Sequence, residues 1–186
     1  MTAGDGGPGE VRGEPRDLPE TEGSSLAGGT RRTRVAARDD MAWESHSPRT
    51  VDDFNQLSAG SLPGLIGMEV VAVDGTRVTS MLEVRAELLA PIGYLHAATV
   101  IALADTTCGY GAWVNLPSGA SGFTTIELKA NFLGTARAGR VSCEATLVHG
   151  GQSTQVWDAT VSSGASGKTI ALFRCTQFIL SDGSAS

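Results

Sequence analysis

Residues 95–113, LHAATVIALADTTCGYGAW, are apolar or small on every side of a helical wheel and carry one charge, Asp105. A helix without a polar face has to be covered on all sides. The most apolar part, residues 95–103, is far short of the ~20 residues needed to cross a bilayer, so the cover must come from this protein. Gly109 and Gly111 weaken the helix toward its end, and Asn115, Leu116 and Pro117 stop it.

The flanking segments supply the cover. Residues 51–57 predict a short helix with Asp52 and Asp53 in its first turn, where carboxylates suit the helix dipole. Residues 65–73 predict a first strand, Asp74 and Gly75 a turn, and residues 76–87 a second strand. In the second, Val78, Ser80, Leu82 and Val84 share one face. After the helix, residues 124–132 alternate, with Thr124, Ile126, Leu128, Ala130 and Phe132 on one side and Thr125, Glu127, Lys129 and Asn131 on the other. Residues 141–147, 155–161 and 169–180 complete the set, punctuated by glycines. Strands joined by short turns form an antiparallel sheet. Six strands wrapped around one long central helix make an α+β protein with the hotdog arrangement.

Residues 1–48 are of different material, rich in Gly, Glu, Arg, Asp, Pro, Ser and Thr and without Ile, Phe or Tyr. Such a segment buries too little to offset its ordering entropy. The sequence therefore predicts a disordered N-terminal arm over 1–48 and one domain over 49–182. The formal net charge is -6, which does not invite nucleic acid. Cys108, Cys143 and Cys175 have neither disulfide nor zinc-ligand spacing and read as small buried hydrophobes. No apolar run opens the chain, so no signal peptide is expected, and a cytoplasmic, membrane-free setting follows as an expectation.

Three blocks carry a resemblance. LAPIGYLHAATVIALAD, residues 89–105, resembles the PaaI-like hotdog thioesterases, whose pattern there is Asn-Pro-x-Gly-x-x-His-Gly-Gly followed by an apolar stretch ending in Ala-Asp or Ala-Glu. Pro91, Gly93, His96, Ala104 and Asp105 match it. TTIELKANFLGTARAG, residues 124–139, is similar to the family's third strand, and VHGGQSTQVWDATV, residues 148–161, to its next hairpin. The resemblance implies hydrolysis of an acyl-CoA thioester, aryl or medium-chain, to a free acid and coenzyme A. It implies no cofactor and no metal, coenzyme A being part of the substrate, and a homodimer or homotetramer.

Site roles follow residue by residue. A lone carboxylate on an apolar helix is costly unless it is paired or used. Asp105 is therefore the expected catalytic group, as general base on water or as nucleophile. His96 resembles a scaffold that fixes the turn by bonds to the backbone. The N–H of Ala97, at the positive helix end, would stabilise an oxyanion. Thr125 matches a position beside the acid of the facing subunit and could orient water; it also reads as an ordinary strand threonine. Gly93 permits the turn into the helix. Gly150, Gly151, Gln152 and Ser153 match a turn that in relatives meets the nucleotide end of coenzyme A.

Two departures stand out. Ala90 occupies the position of the family's Asn or Gln, which helps hold thioester or water. Gly134 and Thr135 replace a frequent Arg-Pro, leaving Arg137 or Arg140 to supply the positive charge. Ala90, with Ala97 and Ala98 in place of paired glycines, keeps open a second reading, a non-catalytic acyl-thioester-binding module.

Overall fold

The structure is a computed structural model that describes residues 48–181. The proposed arm, apart from Pro48, and residue 182 of the proposed domain lie outside the described residues.

In chain order the elements are α1 (Val51–Ser58), α2 (Leu62–Ile66), β1 (Met68–Asp74), β2 (Arg77–Val84), α3 (Ala97–Val114), β3 (Ala120–Phe132), β4 (Gly139–Gly150), β5 (Thr154–Ser163) and β6 (Thr169–Ser181). A 3-10 turn, Ala86–Leu88, follows β2. The six strands form one antiparallel sheet in the order β1-β2-β4-β5-β6-β3, packed around α3. This is the hotdog arrangement.

Local chemistry explains the ends. Thr50 and Asp53 form a reciprocal capping box at α1. The strand expected at residue 65 begins instead at Met68. Pro63 in the first turn and Gly67 at φ +73 after the last make residues 62–66 a helical turn, a stop signal stronger than the apolar pattern. The second strand ends at Val84, earlier than expected, because the chain bends into the 3-10 turn.

Helix α3 does not weaken at its glycines but runs to Val114. Trp157, fully buried, lies so close to the helix that a Cβ on Gly111 would sit 2.5 Å from its ring. Gly111 thus exchanges helix propensity for the burial of a large aromatic side chain. Leu103, Ala104, Cys108 and Ala112 are sealed against the sheet, while Ile101, Ala102 and Asp105 form a stripe of α3 that is only partly covered.

The sheet has two edges, treated differently. At β1 the Asn55 side chain donates to the Val70 carbonyl (3.0 Å) and accepts from its N–H (2.8 Å), as a neighbouring strand would. The other edge, β3, pairs with β6 on one side only, and Ile126, Leu128 and Phe132 on it are exposed.

The alternation expected in β3 breaks at one point. Thr125 pairs with Gln177 and Glu127 with Thr176, so two steps on β3 oppose one on β6 and Ile126 is the extra residue. This bulge places Thr125 on the helix-facing side with Leu128, not on the polar side with Glu127.

Candidate active site

The first cluster forms around the start of α3. The segment 89–95 is a small loop in which Ala90 N–H donates to the Tyr94 carbonyl (2.7 Å) and Gly93 N–H to the Ala90 carbonyl (2.8 Å). Gly93 has φ +79, a conformation that L side chains rarely adopt. His96 caps the helix, its Nδ1 accepting from the Ala98 N–H at 2.9 Å. The N–H groups of Thr99 and Val100 donate to the His96 carbonyl. Among the described residues nothing accepts from the Ala97 N–H, which is left as a free donor at the positive helix end. Beside it lies a mostly apolar cavity of about 290 Å³, lined by Ile92, Leu95, Val100, Phe132 and Ile170 as well as Ala90, Tyr94, His96 and Ala97. Arg137 stacks on the Tyr94 ring, 4.4 Å from its centroid, and donates to its hydroxyl at 2.6 Å. Arg140 instead pairs with Glu83 at 3.4 Å.

The second cluster centres on Asp105, half-buried on α3. Thr125 Oγ1 lies 3.3 Å from Asp105 Oδ1 and 2.9 Å from Gln177 Oε1. Burial pushes the Asp105 carboxyl above the ordinary carboxylate range, opposed by the Thr125 hydrogen bond. A carboxylate so placed is a stronger base than one in water. Thr125 reaches the acid of its own chain, because the bulge at Ile126 turns it inward. Gln177, fully buried, was not singled out by the sequence. Its signal, a polar residue at an apolar-face position of β6, is visible only in retrospect.

Gly151, Gln152 and Ser153 form the tip of the β4–β5 hairpin. Gln155, Gln177 and Thr125 lie side by side across β5, β6 and β3, so this tip sits just beyond the row that faces Asp105. The Gly151 N–H donates to Thr154, and Ser153 accepts from the Ile179 N–H, which ties the tip to β6.

The two clusters do not meet within one chain. Ala97 and Asp105 are separated along α3 by about 12 Å at the helical rise of 1.5 Å per residue. Thr125 and Phe132 are about 23 Å apart along an extended strand. A nucleophile and an oxyanion donor acting on one carbonyl lie within about 7 Å of each other, or slightly more with a water between. The cysteines join neither cluster: all three are buried, and burial pushes the Cys143 thiol up to about 12. Among the described residues no group of His, Cys, Asp or Glu is arranged to hold a metal ion, and no helix is long and apolar enough to cross a membrane.

The same elements and motifs occur in known proteins. The family model for the thioesterase superfamily matches residues 92–170, which span the loop, α3 and β3–β5. A 1,4-dihydroxy-2-naphthoyl-CoA hydrolase from Listeria monocytogenes is 33% identical over 111 residues, covering 60% of this chain and 89% of that protein. The chain belongs to the thioesterase superfamily. This thioesterase is also similar in structure to one from Haemophilus influenzae, with a TM-score of 0.67 and 26% identity over 71% of this chain and 91% of that one. A mutant thioesterase from Pseudomonas aeruginosa gives a TM-score of 0.68 at 26% identity, covering 72% and 95%. The E. coli PaaI protein, at 22% identity and a TM-score of 0.61 over 68% and 89%, shares the fold. Kinship with these hydrolases makes thioester hydrolysis the general activity of the chain.

Proposed function

We propose that this thioesterase hydrolyses an acyl-CoA thioester with an aryl or medium-chain acyl group, releasing the free acid and coenzyme A. The observation that carries the reading is the half-buried Asp105 carboxylate, the one charge of α3, held beside Thr125 at 3.3 Å. The hydrolase from Listeria, named for an aryl-CoA substrate, supports the carrier and the acyl class. The apolar cavity at the helix start suits an uncharged acyl group.

The reacting site is composite and needs two copies of the chain. Cluster separation within one chain supports this, as do the uncovered stripe of α3 and the open β3 edge. Antiparallel pairing of β3 with a second copy about a two-fold between Leu128 and Lys129 sets Thr125 opposite Phe132 of the second copy. Asp105 of one chain then faces the helix start of the other. In that arrangement Asp105 takes a proton from water, or attacks directly, and the thioester carbonyl oxygen becomes an anion held by the Ala97 N–H. Collapse of the tetrahedral species expels the coenzyme A thiolate, which takes up the proton; on the direct route the acyl-Asp105 anhydride left behind is then hydrolysed by water to the free acid. Arg137 and the turn at Gly151, Gln152 and Ser153 are the groups offered to the anionic end of coenzyme A. His96 serves by holding the helix cap.

A second reading, an acyl-thioester-binding module without turnover, is favoured by Ala90, which presents only a methyl group to the cavity. Release of free thiol from phenylacetyl-, benzoyl- and medium-chain acyl-CoA decides between them. Steady release of the thiol carries the hydrolytic reading. Saturable binding without release carries the other.

A further inference from the structure

The hydrogen count at Thr125 does not close as a pair. A threonine hydroxyl has one proton and serves one acceptor at a time. Two acceptors compete for it: Asp105 Oδ1 at 3.3 Å and Gln177 Oε1 at 2.9 Å. Gln177 is fully buried, and with its Nε2 donating to Cys175 Sγ at 3.3 Å its carbonyl is turned toward Thr125. The carbonyl of Gln177 is therefore the nearer competitor.

We infer that Gln177 is a positioning residue, which draws the Thr125 proton to its own carbonyl and thereby keeps Asp105 free to take a proton from water. This rests on Asp105 being the reacting carboxylate. A carboxylate that receives a hydrogen bond is a weaker base, so a donor fully committed to Asp105 would blunt it. Gln177 draws that donor partly away, which weakens without abolishing the hydrogen bond to Asp105, while Thr125 Oγ1 still offers a lone pair to hold the water or the protonated acid.

The surroundings leave few other influences on Asp105. On α3 the nearest titratable group is Cys108, whose thiol is pushed up by its contact with Cys175 and by burial. Among the inward-facing residues of β6, Cys175 is the titratable one. On β4, Cys143 lies against Thr107 and not Asp105. The inward residues of β5, Gln155 and Trp157, and Ser80 of β2 are neutral, and β1 and α2 direct no charge to the helix. The charges of the sheet lie on its outer surface, where Asp158 pairs with Arg174, Glu144 with Arg77, and Glu127 accepts from Thr176.

The experiment follows the Asp105 carboxyl carbon by carbon-13 NMR across pH, alongside the pH profile of thiol release. In Gln177→Met the Thr125 proton is free to turn to Asp105, and its titration midpoint should fall by about one unit, as a hydrogen bond to a charged group implies. The acid limb of kcat/KM should move with it, and kcat should fall while KM holds. Cys175→Ala frees the amide to turn its N–H toward Thr125, and should shift the midpoint in the same direction. Cys175→Ser, which keeps an acceptor, should restore the wild-type value. With Thr125→Val the Gln177 substitution should have no further effect. An unchanged or raised midpoint in both Gln177→Met and Cys175→Ala overturns the inference, and Cys175→Ala decides alone if the first variant does not fold. The NMR titration needs no turnover. Absence of thiol release from the wild type would sink the hydrolytic reading separately.

Discussion

Ala97→Pro removes a single hydrogen-bond donor from the candidate site. Proline is well tolerated at the first helical position, because the N–H it lacks has no partner within the helix. Here that N–H has no acceptor among the described residues, so no internal bond is lost. His96 has φ -66 and ψ 138, the extended conformation favoured before proline, and its Nδ1 cap goes to Ala98, not Ala97. Stability should therefore be unchanged, with Tm within about a degree of wild type. Turnover should fall by about a hundred- to a thousandfold, the effect of losing one oxyanion donor. The assay is thiol release at saturating acyl-CoA. A folded Ala97→Pro protein that keeps a third or more of wild-type turnover would show that the donor lies elsewhere. The same variant tests the composite site. Ala97→Pro and Asp105→Asn each inactivate both sites of their own dimer, but a hybrid dimer regains one intact site. Equal mixing after unfolding and refolding makes about half the dimers hybrid, so about a quarter of wild-type activity should return. No recovery, with hybrids shown to form, would refute the argument from the separation of the clusters.

Asp105→Asn should lower turnover by at least about a hundredfold. Its stability should change in the opposite sense. The folded state raises the Asp105 pKa and so binds the proton more tightly than the unfolded state. Protonation therefore favours folding, stability from this group grows as pH falls through the raised value, and the carboxylate disfavours the fold at neutral pH. Asp105→Asn should have a higher Tm than wild type at pH 7, by an amount that shrinks on acidification; a lower Tm at pH 7 would contradict the burial argument. Gly111→Ala brings a methyl carbon to 2.5 Å from the Trp157 ring. Overpacking of this kind costs about 1–3 kcal/mol, to be read from denaturant midpoints, and an unchanged midpoint would mean that the ring moves freely. Ala90→Asn returns an amide to the cavity and should raise thiol release at saturating substrate; a flat rate in an already active enzyme would show that another group holds the thioester or water.

What the sequence determined by itself was the local part of the design. Helical periodicity without a polar side marked α3 as the element to be wrapped, and strand periodicity marked the wrapping, because side-chain spacing alone decides which faces can meet water. Asp105 stood out for the same reason, as a charge where none could be left idle, and His96 and Ala97 could be placed at a helix start from the turn before them. The tertiary structure decided everything that depends on pairing between distant residues. Thr125 faces Asp105 because β3 slips by one residue against β6 at Ile126, and a slip is a property of two strands some fifty residues apart in sequence, invisible in either one. Gln177 acquires its place only through that pairing, and Gly111 its reason only through Trp157. The gap between Ala97 and Asp105 has the same origin. Both stand in one short motif, yet a straight helix holds its residues apart along its axis as firmly as it orders them around it, so residues that are close in sequence cannot turn to a common reacting carbonyl.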